Sequence, residues 1–187
     1  MLINLLLTAI LLLSLAGSLW FLQCIVLTAP FICSPKEVVT TMIEMATVQK
    51  GDIVIDLGAG DGRLLLAAKR AAPDSTVRGY EIHIFAWIIG WFRCLGSGVS
   101  LRLSNLFYAP IGEADVLFLY LWPSVLEKLM PKLEREGKDG LRIISHSFSF
   151  PHLVPVLEKV LFIKGKRHTV RLYVLRKKIS YPSLPLI

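Results

Sequence analysis

Cysteine is scarce in this sequence. Cys24, Cys33 and Cys94 are the three in 187 residues; they form no Cys-x-x-Cys pair and one lies inside an apolar run, so neither a disulfide framework nor a zinc site is indicated. The four histidines lack metal-ligand spacing, and we expect no metal. Charge is also sparse, at 19% of residues, and none falls between Leu2 and Leu27. Lysine and arginine outnumber the acids 21 to 14, and the resulting +7 suits an anionic partner, either a phospholipid surface or a nucleic acid. There is no internal repeat or low-complexity stretch. The length allows one ordinary domain and an appendage.

The appendage is the uncharged start. Roughly 26 helical residues rising 1.5 Å each span about 39 Å, more than the ~30 Å hydrocarbon core. A cleaved signal peptide would have a basic start, a shorter apolar run and a small-residue cleavage site, so residues 1–28 read as a retained single-pass transmembrane anchor. A signal peptide or a partner-binding helix are the alternatives. Residues 29–50 read as a linker and pre-domain helix: Pro30 and Pro35 favour extended chain before them, Ser34 is a candidate N-cap with Pro35 at the first helical position, and Val38, Val39, Met42, Ile43 and Met45 recur at helical spacing.

Residues 51–187 alternate between short β-branched runs and helical patterns. Strands are expected at 52–57, 76–82, 100–103, 114–121 and 140–148, with helices at 63–72, 85–95, 123–136 and 152–160. A closing antiparallel pair, 161–163 and 169–175, turns at Lys164-Gly165-Lys166. This order predicts an α/β fold: an open, mostly parallel, Rossmann-like sheet with helices on both faces and a C-terminal antiparallel hairpin.

The first strand-to-helix turn reads Asp56-Leu57-Gly58-Ala59-Gly60-Asp61-Gly62-Arg63. In such sheets ligands bind at the carboxyl ends of the strands, beside this turn. Gly58, Gly60 and Gly62 permit positive φ and close backbone approach. The spacing falls one residue short of the dinucleotide fingerprint Gly-x-Gly-x-x-Gly, and Arg63 suits poorly the close helix packing that the third small residue serves. Asp56 and Asp61 would repel a pyrophosphate but suit the ammonium of a methionyl group. Glu81, at the end of strand two and 21 residues past Gly60, can accept ribose hydroxyls. Asn105, after strand three, can bond an adenine edge or simply form a turn.

Together these residues resemble class I methyltransferases. More narrowly, the apolar start, Ala29-Pro30-Phe31-Ile32, the glycine turn, Gly79-Tyr80-Glu81 and Phe148-Ser149-Phe150-Pro151-His152 resemble the membrane-anchored protein-lysine methyltransferases whose eukaryotic members act on the adenine nucleotide translocase and the ATP synthase c subunit. The resemblance implies S-adenosyl-L-methionine as cofactor, held by Asp56, Gly58, Ala59, Gly60, Asp61, Gly62, Glu81 and Asn105. It further implies that 51–187 is the methyltransferase domain, and that Tyr120, Trp122 and Pro123 face the transferred methyl. Phe31, Phe150 and His152 would then lie on the acceptor side, with Phe148 among them. Plain core packing is the competing reading of these aromatics.

The implied acceptor is a lysine on a protein within or beside the membrane, and an intracellular cofactor places the domain in the cytoplasm. Two departures, His83-Ile84 in place of Asn-Pro and Asn105 in place of aspartate, touch the substrate assignment; the layout suits a bacterial or archaeal member. A lipid or quinone-like acceptor is the alternative. Nucleic-acid methylation and a binding-only module rank below it, because the end of strand four reads Leu121-Trp122-Pro123 and not Asp/Asn-Pro-Pro-Tyr/Phe. Phe85, Trp87, Trp91 and Phe92, with the basic residues Lys164, Lys166, Arg167, Arg171, Arg176, Lys177 and Lys178, also suit contact with anionic lipid, or else sheet packing and a solvated hairpin.

Overall fold

A computed structural model of the chain describes residues 2–26 and 32–177. Phe31 and Lys178 therefore lie outside the described residues. Helix α1, Leu2–Val26, carries no charge, and its Leu2–Leu19 stretch is long and apolar enough to cross a membrane. Its leucines and isoleucines up to Leu19 are exposed, with no part of the domain covering them.

Helix α2, Lys36–Ala46, buries Val38, Val39, Met42, Met45 and Ala46 along one face and stops at Thr47, whose φ of 45° is left-handed. Its start differs from expectation. Pro35, with an extended ψ of 155°, occupies the N-cap position, and the Ser34 hydroxyl contacts His146 instead of capping. The αβ alternation then runs β1 (Ile53–Leu57), α3 (Arg63–Ala71), β2 (Thr76–Glu81), α4 (Ile84–Cys94), β3 (Ser100–Leu103), a 3₁₀ turn at Leu106–Tyr108, β4 (Val116–Leu119), α5 (Pro123–Glu136) and β5 (Arg142–His146). Two further strands, β6 (Leu157–Ile163) and β7 (Lys166–Val174), close the chain.

The seven strands form one sheet in the order β3-β2-β1-β4-β5-β7-β6. β1 to β5 are parallel, and β7 runs antiparallel to both β5 and β6. Alternation along the strands sends side chains to two cores, as a sheet covered on both faces requires. Val54, Val116, Phe118, Ile144 and Val170 pack with α2 and α3, while Ile55, Leu117, Leu119, Ile143 and Tyr173 pack with Leu126, Leu129 and Leu133 of α5.

The helix expected over 152–160 does not form. Pro155 would remove a donor and clash within it, and Leu157–Ile163 instead pair with β7 over seven residues, so the hairpin is longer than the sequence suggested. The expected strands at 114–121 and 140–148 shorten to Val116–Leu119 and Arg142–His146.

One arginine joins α2 to the sheet. From β5, Arg142 Nη1 donates to the carbonyls of Ala46 and Thr47, both at 2.8 Å, and Nη2 donates to Asp52 Oδ2 at 2.6 Å. These bonds satisfy two of the carbonyls left over at the end of α2. Arg142→Ala is expected to lower unfolding stability by roughly 2–3 kcal/mol, the usual worth of charge-assisted bonds whose partners remain half-buried. An unchanged denaturant midpoint would show that the clamp carries no weight.

Candidate active site

β1 lies between β2 and β4, the place where strand order reverses, and a cavity of about 300 Å³ opens at the carboxyl ends of these strands. Asp56, Gly58, Ala59, Gly60 and Asp61 line one side, Glu81 and Ile82 the next, and Asn105, Leu106 and Phe107 the third. Ser34, Met42 and Tyr120 complete the wall.

The glycine turn is shaped by backbone that only glycine adopts without strain: φ is +87° at Gly58, +55° at Gly60 and +74° at Gly62. Its amides are tied to β2. Gly58 N and Ala59 N both donate to the Tyr80 carbonyl, at 2.8 and 3.0 Å, and Gly60 N donates to Glu81 Oε2 at 2.7 Å. Behind the turn, α4 approaches so closely at Gly90 that a Cβ there would stand 2.8 Å from the Gly60 carbonyl.

Glu81 is buried at the end of β2, and its other oxygen accepts from Ile82 N and His83 N at 2.9 and 2.7 Å. A carboxylate offers about four acceptor positions. The three amides leave one, on Oε2, where sequence reasoning expected two hydroxyls to be held.

The two aspartates of the turn have opposite fates. Asp61 accepts from Arg63 Nε at 2.9 Å and Nη2 at 2.6 Å and from Arg93 Nη1, while Cys33 Sγ points at it from 3.8 Å. Burial alone would raise its pKa, but the bonds from both guanidiniums outweigh burial and hold the carboxyl below its ordinary range. Its charge is thus answered within the protein. Asp56 shares with Val54 the sheet face toward α2 and is 4% exposed; no donor among the described residues meets its carboxyl. Burial first, then Glu81 and Asp61, push its pKa up to about 8. A buried, unpartnered carboxyl aimed into a cavity fits a cationic ligand group.

Asn105 lines the cavity, yet its Oδ1 accepts from Phe107 N at 3.0 Å and so caps the 3₁₀ turn. Tyr120 also lines it, its ring centroid 4.0 Å from that of His146. Trp122 stands 41% exposed with its ring 5.3 Å from Phe148, and Pro123 opens α5; neither lines the cavity. Phe150 is buried in the α5 core, edge-on to Tyr173, and His152 is exposed. Ser34, Arg93, His146 and His168 were not read as site residues. They reach the site through pairings 22 to 112 residues apart, which leave no local signal.

This sheet order, glycine turn and buried acid pair define a class I S-adenosylmethionine-dependent methyltransferase. Residues 56–157 match the ANTKMT methyltransferase domain. The chain is 36% identical over 152 residues to a protein-lysine N-methyltransferase of Saccharolobus islandicus, covering 78% of this chain and 93% of that one. It is 28% identical over 132 residues to the human lysine N-methyltransferase of the ATP synthase c subunit; the match covers 67% of this chain and 54% of that protein, so the chain spans about half its length. A crystal structure of an RNA methyltransferase from Salinibacter ruber, in complex with S-adenosyl-L-homocysteine, superposes with a TM-score of 0.70 at 33% identity, over 81% of this chain and 97% of that one. The chain belongs to the family of the ANTKMT methyltransferase domain, and its cofactor is S-adenosylmethionine.

Because folded Asp56 holds its proton more tightly than the unfolded chain does, its contribution to stability is full below about pH 4 and lost as pH rises through about 8. Binding a cation beside it favours the carboxylate. S-adenosylmethionine binding at pH 7 should therefore release close to one proton, measured by calorimetry in buffers of different ionisation enthalpy, and Asp56→Asn should abolish the release. Glu81→Ala should abolish binding altogether with the fold intact. Proton-neutral binding by the wild type would remove Asp56 from the site.

Proposed function

We propose that the protein is a membrane-anchored protein-lysine N-methyltransferase whose acceptor sits on a membrane-embedded or membrane-adjacent protein. The observation that carries this reading is the likeness to a protein-lysine N-methyltransferase over 93% of that relative's length. Within the cavity, Asp56 would face the methionyl ammonium, Gly58, Ala59, Gly60 and Asp61 would form its floor, with Gly62 behind it against Cys94 and Gly90 of α4, Glu81 would accept one ribose hydroxyl, and Asn105 with Leu106 and Phe107 would flank the adenine. Bound there, the cofactor supplies an electrophilic methyl on a sulfonium.

The chain's own task is then to hold an acceptor in line, keep water out and leave the amine neutral. Tyr120 lines the cavity, and with the neighbouring ring of Phe148, 6.4 Å away and stacked, it would help shed water from the acceptor, and that loss of water is what disfavours an ammonium. Trp122, Pro123, Phe150 and His152 are assigned to the outer, acceptor-facing rim of this wall, with Phe150 acting from the core beneath. Phe31 lies outside the described residues and is assigned to the acceptor side on the family resemblance alone.

Helix α1 would be the anchor, with the domain on the cytoplasmic side. The exposed Ile88, Ile89, Trp91 and Phe92 of α4 would support it against the bilayer interface, and the basic hairpin would meet anionic headgroups. In the hairpin, Arg171 is already paired with Glu158 at 2.7 Å, which leaves Lys164, Lys166 and Arg167 for such contact.

A second reading, methylation of RNA, is favoured by the 33% identity to the Salinibacter ruber protein and by the +7 charge. One experiment separates them. Labelled methyl donor, the full chain and native membranes are incubated together, and protein, lipid and RNA fractions are then counted. Label is expected in protein, as methyl-lysine after hydrolysis, with the chain itself remaining in the pellet through an alkaline wash. Label confined to RNA or lipid would replace the lysine reading, and release of the chain by the wash would remove the anchor.

A further inference from the structure

Each methyl accepted by a lysine in its ammonium form releases one proton, which must leave the cavity. The following rests on the lysine reading given above. A line of hydrogen bonds starts at the cavity wall and runs through the sheet. Ser34 lines the cavity, and its Oγ lies 3.0 Å from His146 Nδ1. On the other side of that ring, His146 Nε2 lies 3.1 Å from His168 Nδ1, and His168 is half-exposed. The Tyr120 ring, itself in the cavity wall, covers His146 at 4.0 Å.

His146 is fully buried, and both of its ring nitrogens are in use, one on the cavity side and one on the solvent side. We propose that Ser34, His146 and His168 form a proton exit path from the acceptor site to solvent.

A neutral imidazole is a donor at one nitrogen and an acceptor at the other. The line can therefore be drawn in two senses. In the first, the Ser34 hydroxyl donates to His146 Nδ1, and His146 Nε2–H donates to His168 Nδ1. Transfer moves one proton at each link: the acceptor ammonium protonates Ser34 Oγ, the Ser34 proton passes to His146 Nδ1, the Nε2 proton passes to His168 Nδ1, and His168 Nε2 gives a proton to water. The ammonium becomes an amine and the water a hydronium, and no side chain is left charged. The line returns to its first sense once product leaves and water refills the cavity, because both ends then exchange with solvent.

Such a path needs a middle group that stays neutral. Burial first, then the neighbouring His168, pull the His146 pKa down to about 4. Among the described residues, the titratable groups around the pair include the Tyr120 phenol at the end of β4, Arg171 of β7 on the Ser147 carbonyl and paired with Glu158, Arg63 on the Ser34 carbonyl, and, from β6, Lys159, which stands opposite Val170 and pairs with Glu44 of α2. From the segment leading into α2, the contact is the Ser34 hydroxyl. None of the titratable groups competes for either nitrogen of His146.

These are positioning and relay groups rather than methyl-binding ones, so pH dependence is the test. The full chain, labelled S-adenosylmethionine and native membranes would be used to follow methyl-lysine formation from pH 6.5 to 9.5 for the wild type, His146→Phe and His168→Gln. Both variants are expected to be about a hundredfold slower at pH 7, the low end of what a lost acid–base group costs, and to approach the wild-type rate at high pH, where hydroxide takes the proton directly. Their affinity for S-adenosylmethionine, by calorimetry, should not change. Nitrogen NMR of the ring resonances should show His146 neutral at pH 7, with its signals displaced by His168→Gln.

A deficit that is constant across pH, or no deficit in either variant, would overturn the path and leave His146 a packing residue. If His146→Phe fails to fold, the half-exposed His168→Gln and the small change Ser34→Ala decide the matter alone. Absence of methyl-lysine with the wild type would instead overturn the lysine reading, and the path with it.

Discussion

Three backbone amides converge on the carboxylate of Glu81, and the site is built around that convergence. Two come from the chain just beyond β2, and the third, from Gly60, comes from the turn after β1. One buried carboxyl side chain therefore ties the turn after β1 to the chain beyond β2, at the point where strand order reverses. The tight turn is held as well by Gly58 N and Ala59 N on the Tyr80 carbonyl, and α4 is seated closely against it at Gly90. Charge-assisted bonds to backbone are among the stronger polar contacts in a protein, and here they are shielded from water.

Around that joint, the chain handles two further buried acids in different ways. Asp61 is neutralised by a pair of guanidiniums drawn from α3 and α4, and becomes part of the scaffold. Asp56 receives no such partner and is neutralised by a proton. The first arrangement is fixed and the second is exchangeable. An exchangeable charge at the floor of a cavity can be traded for that of a ligand, whereas a paired one would have to break its bonds first.

Much of this was legible in the sequence. The apolar start, the alternation of elements and the glycine turn come from local patterns, since periodicity and turn chemistry are encoded over a few residues, and Glu81 was legible because it ends a strand at a fixed distance from that turn. What was not legible depends on register. Asp61 and Asp56 look alike in the chain, and the fold separates them by bringing Arg63 and, from 32 residues on, Arg93 to Asp61. His146 and His168 meet because β7 runs back along β5, a pairing no local pattern states. Phe150 resembled a site residue, but tertiary packing turns it toward Tyr173. The misread helix at 152–160 has the same origin: an apolar run of ambiguous period is settled by whether a neighbouring strand is there to receive it.

The Arg63 guanidinium, besides holding Asp61, donates to the Ser34 carbonyl at 2.9 Å, which fastens the segment entering α2 to the cavity rim. That fastening has a metric consequence. From Val26, where α1 ends, to Cys33 on the rim is seven residues of chain, which can reach no more than about 25 Å even when fully extended. The cavity rim can thus stand no farther than that from the end of α1. On the proposed reading, with α1 in a bilayer, that distance would act as a ruler, and selection among otherwise equivalent lysines would follow from elevation as much as from the sequence surrounding them.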